Sequence, residues 1–176
     1  KDMEQQIDWL LKALELNNIP FTTNKKDKGY NIIHINTVGP LSCLLAKKAK
    51  RHNIKVIMHA HSTEEDFRDS FFFANKLAPL FKKWLIYSYG QADTLITPTP
   101  YSKKLIDSYH IGLNCHPVSN GVDLSKFVYN SEEGINFRKE YDFKLTDNIV
   151  LSVGLQIKRK GILDFISIAK ELPNIQ

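Results

Sequence analysis

The sequence predicts an α/β fold, a Rossmann-like parallel sheet with flanking helices, followed by the first strand-helix unit of a second domain. Three observations carry this. Short β-type apolar runs alternate with longer amphipathic stretches along most of the 176 residues. Clusters of Gly, Asn, Asp and Pro separate them. A content of 43% apolar and 24% charged residues is that of a globular chain with a core. Domains are expected at 1–121 and, incomplete, at 148–176, with a linker over 122–147. One strand and one helix cannot bury a core alone.

The elements follow in order. Ile7, Leu10, Leu11 and Leu14 lie at helical spacing, which predicts a helix over 3–16 that Asn17-Asn18 ends and Pro20 keeps from resuming. No strand or glycine-rich turn precedes this helix, so either the domain starts unusually here or the N-terminal part of it is not in this sequence. Residues 21–23 suit a short edge strand, and NKKDKG a polar turn. Residues 30–35 read as a strand with Ile32, Ile33 and Ile35 in buried positions and His34 as a hydrogen-bonded structural histidine. A loop from Asn36 to Pro40 leads into a helix over 41–52, with Leu41, Leu44, Leu45 and Ala49 inside and the lysines outside. Residues 54–58 form the next strand, and 64–89 an aromatic helix pair that Pro79 breaks. Strands are expected over 94–97, 115–119 and 148–153, and helices over 101–109, 131–141 and 162–172, the last stopped by Pro173. Asn120-Gly121 is a turn signal.

Several function classes lose support. There is no G-x-G-x-x-G after a strand, no G-x-x-x-x-G-K-[ST] and no G-x-S-x-G. Cys43 and Cys115 are far apart and read as two free thiols. No apolar run reaches the ~18 residues of a membrane span, and charges interrupt what would be the core of a signal peptide. Glu132 and Glu140 flank a linker helix and read as solvated charges. The net charge of +5 points to an anionic partner without choosing one.

The loop after the second strand, His59-Ala60-His61-Ser62-Thr63, carries the most chemistry. In open parallel sheets, loops at the carboxyl ends of strands bind ligands. Ser62 or Thr63 can cap the next helix, and Glu64, Glu65 and Asp66 suit its first turn. Two histidines without a third nearby do not make a metal site, so no metal is expected. The helix pair mixes Phe71, Phe72, Phe73 and Trp84 with Lys76, Lys82 and Lys83. Three consecutive phenylalanines, ~100° apart on a helix, cannot all face one core. A core face with snorkelling lysines is one reading of the pair; an anionic membrane surface touched by Phe72, Lys82, Lys83 and Trp84 is the other.

Four stretches, VIMHAHS (56–62), TPTPYSKKLI (97–106), SNGVDLSKF (119–127) and VGLQIKRKGILDFI (153–166), together resemble the retaining GT4-type glycosyltransferases of the GT-B fold. HAHSTEEDFR (59–68) is similar to the Gram-positive branch that extends glycosyl-diacylglycerols. The resemblance implies an N-terminal acceptor-side domain and a C-terminal donor-binding domain. It implies a nucleotide-diphosphate sugar as substrate, no cofactor, a glycolipid acceptor, and a cytoplasmic enzyme held peripherally at the inner membrane face. It places His61 near the transferred sugar, with Ser62, Thr63 and Asn36 on the acceptor side. Gly154, Arg159 and Lys160 fall in the donor site, although Leu155 stands where the family has an arginine. The family's own Glu-x7-Glu region would lie beyond Gln176, so the fragment alone is expected to be inactive. A basic nucleic-acid-binding module using Lys47, Lys48, Lys50, Arg51 and Lys55 is the alternative; no recognised motif supports it, and no nucleic acid is expected.

Overall fold

The computed structural model describes residues 2–24 and 26–172, and within them leaves out the side chains of residues 2–6, Lys126 and Arg159. Pro173 therefore lies outside the described residues. The chain divides into two compact units: one runs to Arg68 and resumes over Phe73–Val122, the other comprises Asp69–Phe72 and the chain from Asp123 onward.

The first unit opens with α1 (Asp2–Leu16). It then alternates β1 (Ile32–Ile35), α2 (Pro40–Arg51), β2 (Lys55–His59), α3 (Glu64–Phe67) with α4 (Ala74–Tyr89), β3 (Thr94–Thr97), α5 (Pro100–Asp107) and β4 (Cys115–Pro117). The four strands form a parallel sheet in the order β1-β2-β3-β4. Such an order, with right-handed crossovers, puts α2, α4 and α5 on one face. The burial alternation agrees. Ile35, Val56, Met58, Leu95 and Cys115 point into a core closed by Ala46 and Ala49 of α2, Leu85 and Tyr89 of α4, and Ile106 of α5. The opposite face carries Ile32, His34, Ile57, His59 and Ile96, which are half-buried or exposed.

Several expectations are corrected. Residues 21–23 form no strand. Ile32, at 56% exposure, sits on the less covered face of an edge strand. In α2 the leucines do not face the sheet: Leu41, Leu44 and Leu45 are exposed, and Ser42, Cys43, Ala46 and Ala49 are buried. Small residues let the helix approach the strands closely, and the Cys43 thiol reaches Ser88 Oγ at 3.3 Å. Pro79 lies inside α4 without ending it. The helix pair breaks earlier, after Arg68, where Asp69 takes a φ of 55° and the three phenylalanines leave helical geometry exposed.

The second unit holds α6 (Ser131–Glu140), capped by Asn130, and α7 (Ile162–Glu171). Glu132 and Glu140 are exposed on α6. Residues 149–153 form no strand: Val150, Leu151 and Val153 are exposed. A buried strand needs a ladder neighbour, and none among the described residues supplies one.

Candidate active site

The loops leaving the carboxyl edge of the sheet start at Asn36, Ala60, Pro98 and Val118. His34 and His59 lie on the less covered face of β1 and β2, because His34 is in register with Ile57 and His59 follows two residues later. Their rings sit 5.7 Å apart between centroids at an interplanar angle of 24°. His61, the same parity further on, stacks on His59 at 3.8 Å and 25°. The three imidazoles make one column along the edge.

Burial lowers the pKa of all three. His59, in the middle, is pushed down to about 3, first by burial and then by the charges of His61 and His34. His34 is lowered by burial and then by His61, and His61 by burial. The column is therefore neutral at pH 7. His34 is a half-buried strand histidine, as the sequence suggested, but its Nε2 makes no hydrogen bond. Nε2 of His34 and Nε2 of His59 are buried without a hydrogen-bond partner, so stacking rather than hydrogen bonding holds these atoms in place. His34 also supplies the third histidine that the sequence reading lacked. Stacked rings present faces to one another, however, and no group of three His, Cys, Asp or Glu side chains among the described residues is arranged to hold a metal ion.

The loop that carries His61 is clamped from several elements. Ala60 N donates to Ile96 O at 2.7 Å, and Thr97 Oγ1 lies 3.2 Å from Ala60 O. The Tyr89 hydroxyl, at the end of α4, accepts from Ser62 N at 3.2 Å and donates to Ser62 O at 2.7 Å. The Tyr109 hydroxyl accepts from Glu64 N at 2.6 Å and donates to Glu65 Oε2 at 2.8 Å. Burial pushes both phenols up, so both stay protonated donors. Thr63 is buried and its Oγ1 accepts from Asp66 N at 3.1 Å, capping α3. Ser62 and Asn36 remain half-buried at the edge.

Behind the loop, the buried Glu64 carboxylate meets Arg68 Nη2 at 2.5 Å and Lys82 Nζ at 3.3 Å. Burial raises its pKa, but the hydrogen bonds and charges of Arg68 and Lys82 outweigh that and lower it. Lys82 also lies over the Tyr109 ring, 4.6 Å from its centroid. Lys82 thus has partners within the fold while staying half-buried. Trp84 is half-buried too: its Nε1 donates to Val38 O at 2.8 Å and its ring packs by Tyr87. Phe72, at 92% exposure, and Lys83 do face outward. Of the cations considered for nucleic acid, Lys47 binds the Tyr87 hydroxyl, and Lys50 binds Ala92 O and lies near Asp93.

The donor-side residues belong to the second unit. Gly154 has a φ of 152°, and Lys160 is exposed on a 3-10 turn, Lys158–Lys160, closed by Gly161 at φ 72°. The Arg159 side chain lies outside the described residues. The sequence reading found His59 and His61 but missed His34, Tyr89, Tyr109 and the Glu64–Lys82 contact. Their partners lie up to 45 residues away in sequence, so no local pattern marks them.

The sequence matches the family described as Glycosyltransferase Family 4 over residues 16–126. It is also 43% identical over 169 residues to a protein of Acholeplasma laidlawii named Processive diacylglycerol alpha-glucosyltransferase. That alignment covers 93% of this chain and 48% of the relative, so the chain spans about half the length of the curated relative it matches. Among the described residues, no helix is long and apolar enough to cross a membrane.

Proposed function

The chain belongs to glycosyltransferase family 4, and from that premise we propose that it forms the acceptor-side half of an enzyme that moves a hexose from a nucleotide-diphosphate sugar to a membrane glycolipid, with retention of anomeric configuration. The observation that carries this reading is His61, a neutral imidazole on a clamped loop at the carboxyl edge of a parallel sheet. A neutral ring there can hydrogen-bond a sugar hydroxyl next to the reacting carbon and stabilise charge as it develops. Ser62 and Asn36 flank it as polar contacts for the acceptor. Gly154, Lys160 and Arg159 of the second unit take the diphosphate, where cations and close backbone approach suit phosphate oxygens. The relative's name supports a diacylglycerol-based acceptor and glucose as the sugar. No cofactor beyond the nucleotide sugar is required. Phe72 and Lys83 support peripheral contact with an anionic surface, at the cytoplasmic face where nucleotide sugars are found.

The test uses the full-length enzyme that carries this chain. Nucleotide hexoses are offered with diacylglycerol and glycosyl-diacylglycerol in vesicles, with and without anionic lipid. Transfer with a retained anomeric centre and higher rates on anionic vesicles are expected, and the 176-residue chain alone should be silent. His61→Ala should lower kcat by about 100-fold or more. Near-normal turnover of that variant removes His61 from the site, and failure with every lipid acceptor removes the acceptor assignment.

A further inference from the structure

The histidine column has a property that sugar transfer alone does not require. Three titratable rings are stacked in series, 5.7 Å and then 3.8 Å apart, at the edge where His61 meets substrate. A histidine's second nitrogen is usually fixed by a carbonyl or a carboxylate, and that bond sets which nitrogen carries the proton. Here two Nε2 atoms are buried with no such partner. Neither His34 nor His59 therefore has an Nε2 contact that would stabilise an imidazolium, while His61 sits on the loop beyond the strand.

We propose that His34 and His59 are positioning residues for His61, and that the column holds at most one proton, which goes to His61. The inference rests on the transferase reading for its purpose, since the column would keep a neutral, fixed imidazole facing the sugar. Its physical basis is separate. Two positive charges under 4 Å apart repel strongly, so protonating one ring bars its neighbour. Burial disfavours the charge on the inner rings as well, and the order of titration follows: His61 first, His34 and His59 held neutral by the proton already present.

The charged and titratable groups beside the His61 loop and on the helices across the sheet are engaged elsewhere. Glu64 of α3 pairs with Arg68 and with Lys82 of α4. Glu65 accepts from Tyr109, and the Tyr89 hydroxyl is bound to Ser62. Lys50 of α2 and Asp93 before β3 meet near the start of β2, and Lys103 pairs with Asp107 within α5. The influences on the inner histidines are burial and the other rings of the column.

The experiment is a pH titration of the 15N-labelled chain, following all six imidazoles by long-range proton–nitrogen correlation. His34→Gln, His59→Gln and His61→Gln assign the signals, and His61→Asn stands in should His61→Gln not fold. The exposed His52, His110 and His116 serve as references. Expected is that His61 titrates first, with His34 and His59 neutral until the pH lies well below the His61 midpoint. In His61→Gln the His59 midpoint should rise by about one pH unit or more as the repelling charge is lost. Titration of His59 or His34 ahead of His61 overturns the proposal. So does a His59 midpoint that His61→Gln leaves in place. The readout needs no sugar transfer, so failure of the transferase reading and failure of the column are told apart.

Discussion

The Tyr89 phenol is one of the clamps on the loop that presents His61. Tyr89 is fully buried, and its hydroxyl satisfies both the amide and the carbonyl of Ser62. Tyr89→Phe keeps the ring and leaves two backbone groups without that partner. Unpaired polar groups of this kind cost about 1–3 kcal/mol. Urea denaturation should show a lower midpoint at an unchanged slope; an unchanged midpoint would mean the loop does not depend on this contact. The column makes its own demand on pH. Unfolded, its rings protonate near pH 6.5, and folded, His59 resists until about pH 3. Below pH 6.5 the unfolded chain therefore binds more protons, so the stabilising difference is complete above that pH and is lost as pH falls toward the folded values. His59 alone should cost about 2 kcal/mol between pH 7 and pH 5. Urea midpoints at the two pH values measure it, and His59→Gln should flatten the dependence. At this scale the sequence marked His59 and His61 together as candidates, because they follow an apolar run at a strand end. It could not show that His34 lies beside His59, since strand register is a property of the sheet and not of either segment.

At the scale of elements, the four-residue α3 is too short to persist by hydrogen bonding alone. Its Thr63 cap and the contact of Glu64 with Lys82 tie it to α4. Glu64→Gln removes the charge that meets both cations. Lys82 and Arg68 keep partial access to water, at side-chain exposures of 34% and 45%, so the expected loss is about 1–3 kcal/mol rather than that of a fully buried pair. Thermal denaturation measures it, and a gain in stability would show that desolvation of Glu64 outweighs its attraction. The same region shows why element boundaries and faces were less legible than element types. Alternating apolar and amphipathic stretches gave every strand of the sheet. In α2, however, leucines and small residues compete for the inner face, and the alanines won because they allow close approach to β1 and β2. Pro79 removes one hydrogen bond early in a sixteen-residue helix, which the remaining turns outweigh; the aspartate with positive φ, invisible to a proline rule, marks the break.

Over the whole molecule, apolar burial is unevenly shared. The core cluster draws its buried side chains from the sheet and from α2, α4 and α5 of the first unit. In the second unit neither α6 nor α7 has a buried residue, and Val150, Leu151, Val153 and Leu163 are exposed. Hydrogen bonds within a helix then lack the apolar packing that makes their opening expensive. Native-state hydrogen exchange should separate the two. Amides of β2 and β3 should exchange only through global unfolding and respond steeply to low urea. Those of α6 and α7 should exchange faster, through local opening that urea barely affects. Equal protection in α7 and β3 would show that the second unit is stabilised by something other than burial of its own apolar residues. In a longer chain that supplies a neighbouring strand, the apolar run over 149–153 should gain protection, because a sequence of that pattern becomes a strand when its ladder is completed. The strand reading of that run was a reading of its composition, and its backbone follows composition only where the pairing partner is present.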